Sequence, residues 1–239
     1  YGSFDDQVRH LITKAAHLHF PICESYKKNI LKLSEENFRI CNSGSLAVEN
    51  ILKYIQPNKI KKRKYVILTY HPETVLDFFK WENNFKTVCK VLYKFKFSVI
   101  VTAPGYEKGS LEQIRKIKKI IKEFKNFNFV PSLGYKNYFT ILNETKFVIG
   151  NSSSGIIEVP YFKIPTIDIG NRQLGRFRHH SVISCKVSKK DLNNSIKKAI
   201  SLKFNNKISN MKLCFGKGNA SNKILNFIAK NIKNKNKLI

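Results

Sequence analysis

The sequence predicts an α/β fold built on a parallel sheet, and two observations lead to this prediction. Short apolar runs typical of buried strands, such as Tyr65–Thr69 and Phe127–Val130, alternate with helix-like segments along the whole chain. Glycines and polar side chains directly follow several of these runs, which is typical of the ligand-binding edge of a parallel sheet. A hydrophobic content of 42% is enough to supply the core of such a fold.

The first part of the chain, residues 1–56, has too few predicted strands for a complete sheet. The predicted helices are 5–18, 24–33 and 46–55, and the predicted strands are 19–23 and 38–41. A unit with only two short strands cannot cover both faces of a parallel sheet. We therefore interpret it as the C-terminal part of a larger N-terminal domain, followed by a basic linker over 57–64.

The second part, residues 65–218, alternates strands and helices without interruption. The predicted strands are 65–69, 97–101, 127–130, a run ending at Ile149, 165–169 and 182–184. The predicted helices are 73–93, 111–124, 135–143 and 191–202. This order predicts a nearly complete Rossmann-like domain. A further helix over 219–232 and a Lys/Asn-rich tail form the closing segment, residues 219–239.

The chain carries 44 Lys and Arg residues against 16 Asp and Glu residues, a formal net charge of +28. Such an excess often indicates a nucleic-acid or membrane surface. Only seven of the basic residues are Arg, the best reader of phosphates and bases, and the Lys residues are spread over the whole chain. No apolar run reaches the roughly 18 residues that a membrane span needs. We therefore predict a solvated basic surface that favours a small anionic substrate, with no nucleic-acid and no membrane partner.

The cysteines are odd in number and far apart in the sequence, and none of them forms a CxxC pair or a Cys/His metal-binding spacing. We interpret them as reduced, mostly buried thiols of a cytoplasmic protein. The sequence also contains no dinucleotide-binding GxGxxG run, so neither a metal nor a cofactor is expected. The cysteines are Cys23, Cys41, Cys89, Cys185 and Cys214.

The run Gly150–Glu158, with three consecutive serines, is the most informative feature of the sequence. It follows the apolar stretch Lys146–Ile149, so a strand leads through small hydroxyl residues into a helix. The first N–H groups of a helix have no internal partners, and the helix dipole adds partial positive charge there. The serines also supply hydroxyl donors and N-caps. The run therefore predicts an anion-binding turn, with an ordinary N-capped strand–helix turn as the alternative.

Three further motifs carry candidate site residues. Arg172 lies between Gly170 and Gly175, and Arg176 follows Gly175. This motif comes directly after a predicted strand, which suggests a phosphate or sugar contact. His71 follows the first strand of the second part, where an imidazole can act as an acid, a base or a phosphate donor. Asp5 and Arg9 share one face of the first helix. The alternatives are exposed turn arginines, a packed structural histidine and a surface ion pair.

These motifs occur together in the chain order of one protein family. They are Asp-Asp-x-x-Arg-His-x-Ile-Thr-Lys-x-x-His-x-His from Asp5, Thr-x-His-Pro-Glu-Thr from Thr69, Gly-Asn-Ser-Ser-Ser-Gly-Ile-Ile-Glu-x-Pro from Gly150 and Pro-Thr-Ile-x-x-Gly-x-Arg-Gln-x-Gly-Arg from Pro165. With these motifs the chain resembles the UDP-N-acetylglucosamine 2-epimerases. It is most similar to the hydrolysing branch, which serves sialic-acid-type and legionaminic-acid-type biosynthesis. The resemblance covers nearly the whole chain.

The resemblance implies a GT-B-like architecture of two Rossmann-like domains, of which this chain lacks the first part of the N-terminal one. It also implies a UDP site in the second domain. Ser152 and Ser153 would hold the diphosphate, with Asn151 in the same site. Glu158 would bind the ribose hydroxyls, and Arg172 would lie in the nucleotide half of the cleft.

The reaction implied by the resemblance is an elimination followed by a hydration. His71 would assist the departure of UDP, and Asp5 would belong to the catalytic cluster, oriented by Arg9. A base removes the C2 proton while UDP leaves, and water adds to the glycal to give a free 2-epimerised acetamido sugar. The expected partner is a UDP-sugar substrate, and the expected assembly is a homo-oligomer, either a dimer or a tetramer.

Three alternatives stay open at this level: a non-hydrolysing epimerase that adds UDP back, a GT-B glycosyltransferase, and a non-catalytic sugar-nucleotide-binding fragment. The sugar is open as well. Residues 104–110 read Pro-Gly-Tyr-Glu-Lys-Gly-Ser, where many relatives have an Asn-Ala-Asp-like segment. The resemblance places that segment beside the sugar.

Overall fold

The computed structural model describes residues 4–55, 63–72, 78–104 and 110–232, and for residues 4–6 and 78 it describes the backbone alone. Contacts divide the chain into two compact units, Tyr1–Lys53 with Lys212–Ile239, and Tyr54–Met211. Residues 212–218 thus join the first unit, whereas the sequence-based division placed them in the second. The division into functional domains stays a prediction.

The larger unit contains a six-stranded parallel sheet. Its strands are β1 (Tyr65–Thr69), β2 (Ser98–Thr102), β3 (Phe127–Val130), β4 (Thr145–Gly150), β5 (Thr166–Ile169) and β6 (Val182–Cys185). They lie in the order β3-β2-β1-β4-β5-β6, which is the doubly wound order of a Rossmann fold. The predicted α/β class is therefore confirmed, and each strand agrees with its prediction to within one residue at either end.

The sheet is buried along its central strands. Val66, Ile67 and Leu68 are consecutive in β1, and all three side chains are inaccessible to solvent. The same holds for Phe147 and Ile149 in β4. Consecutive burial is what a sheet covered on both faces requires, and it explains why these strands are recognisable in the sequence as continuous apolar runs.

Helices connect the strands and form the smaller unit. In chain order they are α1 (Phe4–Ala15), α2 (Glu24–Lys32), α3 (Leu46–Leu52), α4 (Phe78–Lys94), α5 (Ser110–Ile121), α6 (Gly134–Leu142), α7 (Ser154–Ile157), α8 (Lys189–Ile200), α9 (Leu202–Ser209) and α10 (Ala220–Ile232). Within the described ranges, no helix has both the length and the apolar character that a bilayer span needs.

Helix α9 is absent from the sequence prediction, because the predicted helix over 191–202 ends where α9 begins. Ser201 separates the two helices with an extended backbone, φ −71° and ψ 139°. Its hydroxyl accepts a hydrogen bond from the N–H of Phe204 at 3.3 Å. One serine therefore ends the first helix and caps the second.

The helix predicted after the serine run is only one turn long. Helix α7 gives way to a 3-10 turn over Val159–Phe162, where Pro160 has no N–H to continue the α-helical ladder. The expectation that the serines cap this helix is wrong for Ser153, whose backbone is helical (φ −62°, ψ −25°) and whose side chain makes no cap bond. Capping requires an extended backbone at that position. The hydroxyl of Ser152 instead accepts from the N–H of Ser154 at 3.4 Å.

The smaller unit contains α1, α2, α3 and α10, and its two predicted strands are not formed. Residues 19–23 and 38–41 meet in a single parallel bridge between His19 and Ile40, and a 3-10 turn occupies Asn37–Arg39. An isolated pair of short strands gains little stability, and among the described residues no third strand extends this pair.

Within the smaller unit, two contacts hold the C-terminal segment against the N-terminal residues. A Cβ on Gly44, whose φ is +85°, would lie 2.9 Å from the Cα of Gly216, so both backbones need glycine to approach this closely. The Glu49 carboxylate accepts hydrogen bonds from the N–H of Ser221 at 2.6 Å and from its hydroxyl, and these bonds lower the pKa of Glu49. These contacts give residues 212–232 their place in the first unit.

The cysteines, all of which lie in described residues, form no disulfide. Cys23, Cys89 and Cys185 are buried, and Cys41 and Cys214 are half-buried. The prediction of mostly buried thiols is therefore confirmed. The compartment stays a prediction.

Candidate functional site

The candidate site lies where the strand order of the sheet reverses. The neighbours of β1 are β2, which follows it in the chain, and β4, which comes much later. The connections after β1 and β4 therefore diverge and leave a crevice at the carboxyl ends of these strands, where Rossmann folds bind their ligands. His71 follows β1, and Asn151 directly follows β4. Two motifs that are far apart in the sequence thus meet at one edge.

Asn151 holds the backbone of His71. Its Oδ1 accepts a hydrogen bond from the N–H of His71 at 2.7 Å, and its Nδ2 donates to the carbonyl of His71 at 2.8 Å. Asn151 is completely buried. We expected it to bind UDP, but both polar atoms of its side chain are used within the protein. We therefore propose that it supports the site by positioning His71.

The backbone of Asn151 joins two more segments to this centre. Its N–H donates to the carbonyl of Thr69 at 3.1 Å. Its carbonyl accepts from Nη1 of Arg172 at 3.2 Å and from Nε2 of Gln173 at 2.8 Å. One asparagine therefore connects the loops after β1, β4 and β5. We call this arrangement the Asn151 clasp, meaning Asn151 with its bonds to Thr69, His71, Arg172 and Gln173.

The loop that carries Arg172 is also fixed at its far end. Asp168, the third residue of β5, is buried, and its Oδ2 lies 2.8 Å from Nη2 of Arg178. Arg178 donates in turn to the hydroxyl of Ser184 on β6. Arg172 itself is exposed. The loop thus presents a guanidinium to solvent from an anchored backbone, as a phosphate-binding arginine requires.

His71 is held in its neutral form. Burial lowers the pKa of its imidazole to about 4, and the positive charge of Arg172 contributes to this shift. At neutral pH the ring therefore has one N–H donor and one acceptor nitrogen. A bound anion that offsets the charge of Arg172 would raise this pKa and allow the ring to take up a proton.

The serine turn adds donors beside this pair. Ser152 and Ser153 are half-buried, and among the described residues their backbone N–H groups have no acceptor within the chain. A one-turn helix has only a small dipole, so these donors and Arg172 supply most of the attraction for an anion. Burial raises the pKa of Glu158, which lies at the end of α7, and a hydrogen bond from Ser154 opposes that shift.

The remaining predicted site residues lie in the smaller unit. Asp5 and Arg9 are both in α1, and Arg9 is exposed. The side chain of Asp5, and with it the alternative of a surface ion pair with Arg9, is outside the described side chains. Residues 105–109, which include most of the segment expected beside the sugar, are outside the described residues as well.

Sequence reasoning missed two contributors to the site. Gln173 was not selected, although it lies next to Arg172 in the same motif, and that adjacency could have indicated it. Tyr138 was not selected either, and its hydroxyl lies 2.6 Å from the hydroxyl of Ser154. No local signal marks Tyr138, because it comes from the preceding helix α6.

Replacing Asn151 with alanine should destabilise the larger unit by about 2–4 kcal/mol, since two backbone groups of His71 would lose their partners. Urea unfolding measures this loss. The matched control is Asn128→Ala on β3, where the side chain is exposed and the expected cost is below about 0.5 kcal/mol. Equal losses in both variants would show that the clasp does not stabilise the site.

Comparison with known proteins defines the class. Residues 1–229 match the model of the family described as UDP-N-acetylglucosamine 2-epimerase, and the chain belongs to this family. It is 34% identical to the polysialic acid biosynthesis protein P7 of Escherichia coli over 99% of its length. It is 36% identical, over 97%, to the GDP/UDP-N,N'-diacetylbacillosamine 2-epimerase (hydrolyzing) of Campylobacter jejuni. It spans 62% of the length of each of these relatives.

Solved structures give the same fold. The Neisseria meningitidis UDP-GlcNAc 2-epimerase bound to UDP-GlcNAc matches 93% of this chain with a TM-score of 0.74 at 16% identity, and the chain covers 64% of it. The Staphylococcus aureus MnaA–UDP structure matches 94% with a TM-score of 0.74, also at 16% identity, and the chain covers 62% of it. The predicted GT-B-like fold class, with its first Rossmann-like domain partly present, is confirmed.

Proposed function

We propose that this chain is part of a hydrolysing UDP-N-acetylhexosamine 2-epimerase. It would contain the UDP-binding residues and some of the catalytic residues. The product would be UDP and a free 2-epimerised acetamido sugar for sialic-acid-type biosynthesis. The observation that carries the proposal is the Asn151 clasp, which places a neutral histidine and an arginine at one point of the carboxyl edge. The hydrolysing relative of C. jejuni, 36% identical, supports the choice of reaction.

Binding of UDP would use the half-buried serine donors and the exposed Arg172 of this edge. The diphosphate would lie against the N–H groups and hydroxyls of Ser152 and Ser153, with the guanidinium of Arg172 balancing its charge. Glu158 would accept hydrogen bonds from the ribose hydroxyls. Every one of these groups follows β4 or β5, so a single ligand at the switch point could reach them all.

The reaction would then proceed in two steps. A base removes the proton at C2 of the hexosamine, a C1–C2 double bond forms, and the C1–O bond breaks with its electron pair passing to UDP. Water next adds a hydroxyl to C1 and a proton to C2 on the opposite face. We assign His71 to the departing phosphate oxygen and Asp5, oriented by Arg9, to the carboxylate cluster that handles the C2 proton.

UDP binding should be coupled to proton uptake by His71. Its pKa of about 4 leaves the ring neutral at pH 5.5, and a bound diphosphate that offsets Arg172 would raise that pKa, so a proton is taken up. Calorimetric titrations in buffers of different ionisation enthalpy measure this uptake. We expect His71→Gln to bind UDP at pH 5.5 with at least about 0.3 fewer protons taken up, and the difference to vanish at pH 8. Identical proton counts in both proteins would contradict the coupling.

The reaction itself can be tested by NMR in deuterated water. The protein would be used in a form that also supplies the part of its relatives that this chain does not span. It would be incubated with UDP-GlcNAc and, separately, with UDP-N,N'-diacetylbacillosamine. Free 2-deuterated 2-epimer together with UDP from either substrate supports the proposal. A UDP-linked epimer as the sole product would identify a non-hydrolysing epimerase instead, and no turnover of either substrate would contradict both.

The setting of the protein is part of the same proposal. Thiols without disulfides fit the reducing cytoplasm. The family resemblance suggests a homo-oligomer, either a dimer or a tetramer. Light scattering during size-exclusion chromatography would measure the mass of the assembly.

A further inference from the structure

Two hydroxyl side chains, those of Ser154 and Tyr138, are associated with the Glu158 carboxylate. Ser154 and Glu158 are four residues apart across α7, and the N–H of Glu158 donates to the carbonyl of Ser154 at 2.9 Å. This spacing puts both side chains on one face of the turn, where the Ser154 hydroxyl lies close enough to the carboxylate to favour its ionised form. The hydroxyl of Tyr138, from α6, lies 2.6 Å from the hydroxyl of Ser154.

The direction of these hydrogen bonds follows from the number of protons. A serine hydroxyl has one proton, and when the carboxylate is ionised Ser154 must donate that proton to Glu158. Ser154 can then only accept from Tyr138. Burial raises the pKa of the Tyr138 phenol, and the negative charge of Glu158 adds to this effect, so the phenol stays protonated and remains a donor.

We propose that Tyr138 and Ser154 are positioning residues that orient the Glu158 carboxylate toward the vicinal hydroxyls of the nucleotide ribose. The inference rests on the proposed function and deepens it. A carboxylate can accept about four hydrogen bonds, so after the bond from Ser154 it still has capacity for two hydroxyl donors. A fixed orientation matters because both hydroxyls of a diol must be met at once.

We call Tyr138, Ser154 and Glu158 together the relay. The relay also opposes the cost of burying the carboxylate. Desolvation favours the protonated acid, which would lose acceptor sites and bind a diol poorly. The donated bond from Ser154 favours the ionised form instead. Tyr138 makes Ser154 a better donor because bonds in a chain polarise one another.

The test compares UDP with 2′,3′-dideoxy-UDP, which has the same phosphates and base but no diol. We expect the wild-type chain to bind UDP about 10-fold more tightly or better, as is typical of hydrogen bonds to a charged group. In Tyr138→Phe and in Ser154→Ala, this ratio should fall by about three- to 10-fold, while the affinity for the dideoxy compound changes less than about twofold. The double variant should lose no more than Ser154→Ala alone, because both substitutions break one relay.

The matched control is Tyr135→Phe on the same helix. Tyr135 is 57% exposed, and its ring packs edge-on against Tyr54 at 6.3 Å. The ratio of affinities for UDP and for the dideoxy compound in Tyr135→Phe should equal that of the wild type. If the role of Tyr138 were purely structural, Tyr138→Phe would weaken the binding of both nucleotides equally. Melting temperatures would reveal any unfolding.

The failures of the two proposals can be told apart. If UDP binds and prefers the diol, but neither Tyr138→Phe nor Ser154→Ala changes that preference, the relay is overturned. If the wild type binds both nucleotides equally, Glu158 does not read the ribose, and the relay is overturned with it. If the wild type binds neither nucleotide, the proposed function fails first.

Discussion

Gly150→Ala should destabilise the larger unit by about 3 kcal/mol or more, since its added methyl group meets the closest clash found at the glycines within the described ranges. Gly150 ends β4 with a φ of +139°, a conformation that L side chains rarely adopt. A Cβ built there would lie 1.8 Å from the carbonyl oxygen of Thr69 on β1. The carbonyl oxygen is a backbone atom of β1, and the backbone of β4 fixes the position of the Cβ, so the clash can be relieved only by moving the strands apart.

The consequence reaches the candidate site, because the N–H of Asn151 bonds the same Thr69 carbonyl at 3.1 Å. We therefore expect stability against urea and affinity for UDP to be lost together. Gly134→Ala is the matched control: its φ is +62°, but nothing lies within 4 Å of the added Cβ, so it tests backbone strain without a clash. We expect it to cost about 1 kcal/mol. Equal losses in the two variants would show that the close approach of β1 and β4 is not what requires glycine.

His71→Ala should lower turnover about 1,000-fold, which corresponds to about 4 kcal/mol of lost transition-state stabilisation, while UDP binds within about threefold of the wild type. At pH 8, where the ring stays neutral with UDP bound, the imidazole would act only as the C1–O bond breaks, so removing it affects the transition state and not the bound nucleotide. Steady-state kinetics on a form of the protein with turnover, together with calorimetry of UDP binding, measures the two effects separately.

His180→Ala is the control for this substitution, since His180 is exposed and lies in the same unit. It should leave both measurements unchanged. Normal turnover in His71→Ala would remove the histidine from the mechanism. A loss of UDP affinity as large as the loss of turnover would make it a binding residue instead.

The parallel sheet could be predicted from the sequence because its strands are buried on both faces. Residues 66–68 form a continuous apolar run for this reason, and β1 begins and ends where it was predicted. The elements that the prediction missed depend on single capping or breaking residues. Ser201 ends α8 and caps the unpredicted α9, and Pro160 limits the helix after the serine run to a single turn.

The location of the candidate site could be predicted because the residues that follow parallel strands lie at one edge of the sheet. His71, the serine run and Arg172 were selected because each follows a strand. Their linkage through Asn151 was not predictable, since it depends on hydrogen bonds between residues 80 positions apart in the sequence. Tyr138 was missed for the same physical reason: packing, and not a local pattern, puts its hydroxyl against Ser154.

We propose that the serine turn and Arg172 bind the phosphates of a uridine nucleotide. Calorimetric titration of the 239-residue chain with UDP and with uridine at pH 7.5 tests it most directly. We predict that UDP binds at least about 100-fold more tightly than uridine, and that Arg172→Gln reduces this ratio about 10-fold. Equal affinities for UDP and uridine, or a ratio that Arg172→Gln leaves unchanged, would contradict the account.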